Sequence, residues 1–245
     1  MANDVIRCLS LARPDLPVFL YAHSLGGLTI VKLLLTRPTL PVSGCIITSP
    51  LLEFPRDRQA SFMKLFVINQ IGDELEDIIG NAMVNPTALT KNNKFMFTIF
   101  EDRLMIPFLS IKMGKSILNT LKWVQARFDK FNHPAMVFHG KKDTVVNYQG
   151  SYNFVYSKLA PYKKLQLYDN GYHELQHDEE KDDMLGKALE FIEKLPNYVI
   201  KPAGQINYKD FALSPPPKKK KGALIIKILV ALGIIIFILR RLRRK

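Results

Sequence analysis

Residues 18–27 read Val18-Phe19-Leu20-Tyr21-Ala22-His23-Ser24-Leu25-Gly26-Gly27. The apolar run at the start predicts a buried strand, and the apolar periodicity of residues 28–35 predicts a helix directly after it. Between them lies a small-x-Ser-x-Gly pattern, in which Ala22 stands where glycine is usual and small neighbours permit a tight turn. Such a turn would lift the Ser24 hydroxyl clear of the sheet and leave the N–H of Leu25 as an oxyanion donor. The alternative is a glycine-rich turn in an unrelated α/β protein.

Two later loops carry an acid and a histidine, and each follows an apolar run that predicts a strand. Asp143 ends the sequence His139-Gly140-Lys141-Lys142-Asp143, and His173 lies within Tyr168-Asp169-Asn170-Gly171-Tyr172-His173-Glu174-Leu175. Loops at the carboxyl ends of parallel strands gather at one edge of a sheet. We therefore predict that Asp143 orients His173, and that His173 acts as a general base on Ser24.

Each of these assignments has a simpler alternative. Taken alone, Asp143 would be a solvated turn residue and His173 a surface histidine. His177 is a rival base that stands among acidic residues, and Asp169 is a rival acid that precedes the histidine on the same loop. The chain order Ser24, Asp143, His173 has separations of 119 and 30 residues. The first separation accommodates an inserted segment and the second fits one helix plus one strand, which favours the catalytic assignment.

The pattern of the body, residues 1–196, predicts an α/β fold with a parallel sheet covered by helices. Four short apolar runs alternate there with helical patterns, and they lie near Val18, Val42, Ala135 and Leu165. The alternation is interrupted at about residues 53–131, which predict a helical cap inserted between strands. One apolar helix face of this cap is predicted from residues three and four apart, Ile117, Leu121, Val124, Phe128 and Phe131.

Aromatic side chains are frequent in the predicted cap. They would either bind an acyl chain or form the apolar core of the cap itself, and we expect the second role for most of them. The residues concerned are Phe62, Phe66, Phe95, Phe97 and Phe100.

At these motifs the chain resembles α/β-hydrolases of the monoacylglycerol lipase and lysophospholipase branch, often labelled serine-aminopeptidase-like. The resemblance runs from about Asp4 to Leu195, and besides the three motifs it rests on Leu16-Pro17-Val18-Phe19-Leu20, Thr48-Ser49-Pro50-Leu51, Asn85-Pro86 and Leu89-Thr90. It implies hydrolysis of a single-chain acyl ester, either a monoacylglycerol or a lysophospholipid, with the cap forming an acyl tunnel. It places Ser24, Asp143 and His173 at the catalytic positions of the family, and it implies no metal and no other cofactor.

The resemblance also predicts that part of the fold is absent. In the family, several strands and a histidine–glycine oxyanion loop precede the tight turn that carries the serine, whereas here that turn begins at residue 22. We expect the C-terminal portion of the fold, with about four strands and an exposed edge where a protein partner could pair. Met1 is then either an internal methionine of a longer protein, which we favour, or the start of a fragment that is inactive or completed by a partner. The alternative function is a catalytically inactive, membrane-tethered binding protein.

The C-terminal tail predicts a membrane anchor. The formal net charge is +13, and ten basic residues lie within 218–245, which leaves +3 for the remainder and gives no reason to expect nucleic-acid binding. A Pro/Lys-rich linker at 197–221 precedes residues 222–239, which are apolar except for Lys227. As a helix this segment is roughly 27 Å long, enough to cross a bilayer core. With the basic tail at 240–245, we expect a tail anchor in the endoplasmic reticulum or mitochondrial outer membrane and a cytosolic catalytic domain.

Overall fold

Strands and helices alternate around one central sheet. The computed structural model describes residues 2–9, 11, 15–55, 79–81, 85–104, 108–157, 162–196, 199 and 204. In chain order the elements are α1 (Ala2–Leu9), β1 (Phe19–His23), α2 (Leu25–Thr36), β2 (Gly44–Thr48), β3 (Ile79–Asn81), α3 (Asn93–Glu101), β4 (Phe108–Ser110), α4 (Ile111–Gln125), β5 (Ala135–Gly140), α5 (Tyr148–Tyr156), β6 (Lys163–Tyr168) and α6 (Lys181–Glu193). Short 3₁₀ turns lie at Pro86–Ala88, Phe128–Lys130 and Leu175–His177.

The central sheet has four parallel strands in the order β1-β2-β5-β6, which confirms the predicted number and direction of the strands. His23 of β1 is level with Thr48 of β2, and Thr48 is level with Phe138 of β5. Gly140 of β5 is level with Tyr168 of β6. Because the strands are parallel, their carboxyl ends lie at the same edge of the sheet. The loops that follow these ends carry the predicted site residues.

Apolar cores on both faces of the sheet explain why its strands read as continuous apolar runs. β2 and β5 are buried along their whole length. The core on one face includes Leu28, Val31, Leu34, Ile47 and Val137. The core on the other face includes Ile46, Met136, Phe138, Met184 and Phe191. Each such side chain contributes about 1.5–3 kcal/mol when fully buried, so the site loops rest on a firmly packed base.

Within the described part of the chain, β1 is an edge strand. It pairs with β2 alone, and Tyr21 at its centre is 55% exposed. The Tyr21 hydroxyl lies 3.3 Å from Oγ1 of Thr48, on the neighbouring strand. The outer backbone groups of β1 therefore face the side of the sheet where a further strand could pair.

The segment between β2 and β5 is not helical throughout, contrary to the prediction from the sequence. β3 and β4 form an antiparallel pair with Ile79 opposite Ser110. Strands of three residues are too short to show an alternating pattern, so they could not be predicted from the sequence. The apolar helix face is largely confirmed, because Leu121, Val124, Phe128 and Phe131 are buried, although α4 ends at Gln125.

The aromatic residues of this segment do not share one environment. Phe97 and Phe100 of α3 are 63% and 62% exposed, so the expectation of a core role is wrong for these two. Phe95 is half-buried and stacks on His177, with ring centroids 3.5 Å apart. Phe62 and Phe66 lie outside the described residues.

Of the helices in the described ranges, none combines the length and the apolar character that crossing a membrane requires. The segment predicted as a membrane helix, residues 222–239, lies outside those ranges, as do the tail at 240–245 and most of the linker at 197–221.

Candidate active site

The turn between β1 and α2 holds Ser24 in a strained backbone conformation. Its φ of 52° and ψ of −119° lie in a region that favours glycine. The N–H of Ser24 donates to the carbonyl of Thr48 over 3.0 Å. The carbonyl of Ser24 accepts from the N–H groups of Gly27, at 3.0 Å, and Leu51, at 2.9 Å. The chain thus forms the predicted strand–turn–helix, and backbone hydrogen bonds hold its central serine in place.

Glycine is required at Gly27 more than at Gly26. A Cβ on Gly26 would lie 3.7 Å from Cβ of Ala22, an ordinary contact, whereas a Cβ on Gly27 would lie 2.6 Å from Cβ of Pro50. The bare backbone of Gly27 lets the first turn of α2 pack against the turn after β2. Leu25 begins α2, and amides of the first helical turn have no partner within the helix. The N–H of Leu25 therefore remains the candidate oxyanion donor.

Asp143 and His173 form a buried carboxylate–imidazole pair. Nδ1–H of His173 donates to Oδ2 of Asp143 over 2.7 Å, and the two residues are 2% and 8% exposed, respectively. The second oxygen, Oδ1, accepts from the N–H groups of Val145, at 2.8 Å, and Val146, at 3.0 Å. A proton on Nδ1 of neutral His173 leaves Nε2 as the basic nitrogen, which is the tautomer that a general base requires.

His139 is a third member of this network, and the sequence analysis assigned it no role. It is fully buried, its Nε2 lies 3.1 Å from Oδ2 of Asp143, and its Nδ1 lies 2.7 Å from Oγ of Ser151. Burial alone would raise the pKa of Asp143, but hydrogen bonds from His139 and His173 outweigh it and hold that pKa well below its usual range. The available signal was a histidine inside an apolar strand, because a buried imidazole needs hydrogen-bonding partners.

Close backbone contacts hold the acid and base loops together. A Cβ on Gly140 would lie 2.1 Å from the carbonyl oxygen of Gly171, so this approach is open only to glycine. The N–H of Lys142 donates to the same carbonyl over 3.0 Å. On the other side, Oγ of Ser49 donates to the carbonyl of His173 over 2.7 Å. The His173 loop is therefore fixed to the ends of both β5 and β2.

His23 and Glu174 lie beside the predicted residues and were also given no role. The rings of His23 and His173 have centroids 4.7 Å apart, and Nδ1 of His23 lies 3.0 Å from Oγ1 of Thr48. Nε2 of His23 lies 3.2 Å from Oε1 of Glu174, but out of line for a hydrogen bond, so this nitrogen is buried without a hydrogen-bonding partner. Burial would raise the pKa of Glu174, but interaction with His23 and the neighbouring imidazoles outweighs burial and lowers it.

The structure brings Asp143 and His173 together and separates both from their rivals. Asp169 is exposed and pairs with Lys141 over 2.7 Å, and His177 stacks on a phenylalanine ring. For the described site residues, no hydrogen bond joins the Ser24 hydroxyl to His173. Contacts of this kind are often longer before a substrate tightens the site.

A polar clamp fixes the chain before α3 to the loop after His173. Oδ1 of Asp178 accepts from Oγ1 of Thr90 over 2.5 Å and from the N–H of Lys91 over 2.9 Å. Nζ of Lys91 donates to Oε1 of Glu180 over 2.8 Å, and the N–H of Glu174 donates to the carbonyl of residue 89 over 2.8 Å. The inserted segment is therefore attached next to the catalytic histidine candidate.

Comparisons with known proteins show the family to which the chain belongs. Residues 2–180 match the family model Hydrolase_4, described as serine aminopeptidase, S33. An uncharacterized abhydrolase domain-containing protein of Dictyostelium discoideum is 27% identical over 194 residues, which cover 78% of this chain and 20% of that protein. Monoglyceride lipase of Mus musculus is 25% identical over 166 residues, which cover 67% of this chain and 54% of that protein. The chain thus spans about half the length of the monoglyceride lipases it matches, and less of the Dictyostelium protein.

A solved structure shows the same fold. Monoacylglycerol lipase of Paleococcus ferrophilus superposes with a TM-score of 0.68 at 22% identity, over 78% of this chain and 74% of that one. Together with the family match, this likeness identifies the chain as a member of the serine aminopeptidase S33 family of α/β-hydrolases, related to the monoglyceride lipases.

Proposed function

We propose that this chain is a serine hydrolase that cleaves the ester bond of a single-chain acyl lipid. Ser24 is the nucleophile, His173 the general base, and Asp143 the residue that orients the imidazole and stabilises its charged form. The observation that carries the proposal is the buried 2.7 Å hydrogen bond between Asp143 and His173, whose ring centroid lies 4.7 Å from that of His23, the residue before the strained Ser24.

The reaction proceeds through an acyl-enzyme. The Ser24 oxygen attacks the ester carbonyl while Nε2 of His173 takes the hydroxyl proton. The tetrahedral intermediate then collapses, the alcohol leaves with the proton from His173, and an acyl ester of Ser24 remains. Water attacks this ester, His173 takes a proton from the water, and Ser24 regains its proton as the fatty acid leaves. Asp143 stabilises the positive charge on His173 in both halves.

The N–H of Leu25 is the proposed oxyanion donor, and it is the single donor that we assign among the described residues. Loss of one of two donors typically lowers kcat by about 10²–10³-fold. The hydrogen bond from this N–H is therefore expected to make a large contribution to the rate of the proposed reaction.

The substrate class is proposed from the relatives and from the surface of the inserted segment. The matched relatives include monoglyceride lipases, and α3, which follows the polar clamp in the chain, exposes two phenylalanine rings. Exposed apolar side chains of this kind suit an acyl chain. We propose a monoacylglycerol or a lysophospholipid, both of which carry one acyl ester.

A serine-reactive fluorophosphonate tests the assignment. We expect it to label the wild-type chain but not Ser24→Ala. Ser116→Ala is the matched control and should label like the wild type, because Ser116 is an exposed residue of α4. Equal labelling of Ser24→Ala would refute the assignment. Absence of labelling in the wild type would favour the inactive, membrane-tethered binding protein. Fatty-acid release from monoacylglycerol and from lysophospholipid then distinguishes the two head groups.

We also propose that residues 222–239 anchor the chain in the endoplasmic reticulum or mitochondrial outer membrane, with the hydrolase domain in the cytosol. The support is the apolar sequence, in which Lys227 would cost about 2.5–3.5 kcal/mol at the bilayer centre. Lys227 lies near the linker end, so its amine can extend to the membrane surface. Alkaline carbonate should leave the full chain in the membrane pellet and release a chain that ends at residue 196. Release of the full chain would contradict the anchor.

Among the described residues no strand pairs with the outer edge of β1, and this edge supports a proposed protein partner that pairs with it. Exposed edges offer a row of backbone donors and acceptors that favours such pairing. The native mass, measured by light scattering with the partner retained, should exceed the 28.0 kDa of one chain. A monomer of that mass with full esterase activity would contradict the partner.

A further inference from the structure

His23, His173 and Glu174 form a ligand set beside the proposed nucleophile. Each offers one ligand atom, and the three atoms lie within 4.8 Å of one another. His23 is the last residue of β1, His173 lies on the loop after β6, and Glu174 directly follows His173. We propose that these three residues bind one Zn²⁺ ion reversibly, and that zinc in this position inhibits the enzyme.

Hydrogen bonds around the two imidazoles prepare their Nε2 atoms as ligands. Nδ1–H of His173 donates to Asp143 over 2.7 Å, and Nδ1 of His23 lies 3.0 Å from Oγ1 of Thr48. Metal-binding histidines usually donate their second N–H to a carboxylate or another oxygen in this way, which fixes the tautomer and the ring orientation. With each Nδ1 engaged, Nε2 is the nitrogen that remains for a metal.

His23 supplies an independent indication. Its Nε2 is buried and makes no hydrogen bond, although Oε1 of Glu174 lies only 3.2 Å away. A buried polar atom without a partner normally costs free energy, and such atoms call for an explanation in a native fold. A metal ion between Nε2 and the carboxylate would satisfy both groups.

The donor set favours zinc over the hard divalent cations. Two imidazole nitrogens and one carboxylate, with a fourth position left open, are the ligand types of tetrahedral zinc sites, in which nitrogen lies at about 2.0–2.1 Å. The three ligand atoms must therefore move closer together when they bind the ion. Calcium takes six to eight oxygen ligands, and magnesium prefers octahedral oxygen coordination with several waters. Mg²⁺ is therefore a suitable control cation.

Inhibition follows from the nitrogen that zinc would occupy. Nε2 of His173 is the atom that takes the Ser24 proton, so its lone pair cannot serve the reaction while it coordinates a metal. This consequence rests on the proposed hydrolase function, whereas the binding of zinc does not. Zinc is here an inhibitor, in keeping with the expectation that the reaction itself needs no cofactor.

Metal binding is measured directly on the full-length protein in detergent, by competition between the protein and a chromophoric zinc chelator. We expect one Zn²⁺ per chain and no competition by Mg²⁺. His23→Gln and Glu174→Gln should each weaken zinc binding at least tenfold. His177→Gln is the matched control, because His177 lies on the same loop but stacks on Phe95. Thermal unfolding of each variant establishes that it is folded.

Equal zinc affinity in the wild type, His23→Gln and Glu174→Gln would overturn the site, as would an equal loss in His177→Gln. The inhibitory step is measured as the ratio of fluorophosphonate labelling rates with and without zinc in each variant. Zinc should slow wild-type labelling at least tenfold, chelator should restore it, and the two ligand variants should show a smaller ratio. Zinc binding in a chain that never labels would overturn the hydrolase proposal and leave the metal site standing. Labelling that saturating zinc does not slow would overturn the inhibition.

Discussion

Gly140→Ala is a small substitution with a large expected effect on the site. A Cβ at this position would lie 2.1 Å from the carbonyl oxygen of Gly171 and 2.5 Å from that of Tyr172. Both obstacles are backbone atoms, so no side-chain rotation relieves the contact. Real Cβ atoms essentially never approach other heavy atoms within 3.0 Å. The end of β5 and the loop before His173 must therefore move apart by about 0.9 Å. Extra side-chain volume in a packed interior commonly forces backbone shifts of this kind.

This separation acts on the Asp143–His173 pair because the two loops carry it. Overpacking of this kind lowers the free energy of unfolding by about 1–3 kcal/mol. A displacement near 1 Å in a catalytic group lowers rates by about 100-fold. Gly186→Ala in α6 is the matched control, because a Cβ there would meet nothing within 4 Å. Alanine in place of glycine inside a helix stabilises it by about 0.8–1 kcal/mol.

Urea unfolding gives the change in stability, and the rate of fluorophosphonate labelling reports the site. We expect Gly140→Ala to be less stable and to label about 100-fold more slowly. Gly186→Ala should be more stable than the wild type and label at the wild-type rate. Unchanged stability of Gly140→Ala would refute the backbone contact. A normal labelling rate in a destabilised Gly140→Ala would refute the link between this glycine and the catalytic pair.

Three further predictions concern buried polar groups. His139→Leu removes a hydrogen-bond donor to ionised Asp143. The free energy of unfolding at pH 7 should therefore be about 1.5–3 kcal/mol lower than that of the wild type. This difference should shrink as the pH falls below about 4, because a carboxylate with a lowered pKa loses its stabilising effect as protons bind. Burial raises the pKa of Cys45 to about 12, so iodoacetamide at pH 8 should alkylate exposed Cys8 and reach Cys45 only in urea, as mass spectrometry would show. Asp178→Ala leaves a buried threonine hydroxyl and a backbone N–H without an acceptor, and urea unfolding should show a loss of about 1–3 kcal/mol. An unchanged urea midpoint in His139→Leu or in Asp178→Ala would contradict the hydrogen bonds assigned to that residue. Alkylation of Cys45 in the native protein would contradict its burial.

The centre of the sheet was predictable because β2 and β5 are buried on both faces. A strand such as Ala135–Gly140 then reads as an unbroken apolar run, and the residues after it must lie at the carboxyl edge. Parallel pairing brings those edges together, so Ser24, Asp143 and His173 could be placed in one region without knowledge of the contacts.

The contacts themselves were not predictable from this sequence. That His139 shares Oδ2 of Asp143 depends on which face of β5 turns toward Ser151, and spacing along the chain does not encode it. The same is true of His23, whose proximity to Glu174 arises from the packing of the loop after β6 against the end of β1. Exposure of Phe97 and Phe100 was missed because an apolar helix face predicts burial only where a neighbouring element covers it.

Strain at the ends of neighbouring strands shows how the sheet positions the site. Ser24 after β1 and Ser49 after β2 both have positive φ, 52° and 43°, which costs about 1–3 kcal/mol each. Hydrogen bonds to the next strand hold both residues, since Ser24 N–H donates to Thr48 and Ser49 N–H donates to Phe138, over 3.0 and 2.8 Å. The ladder of the sheet thus continues one residue beyond each strand end. Because Ser49 also donates its hydroxyl to the carbonyl of His173, the register of the strands fixes the Ser24 turn and the His173 loop relative to each other. The two strained residues therefore lie where the proposed reaction requires fixed positions.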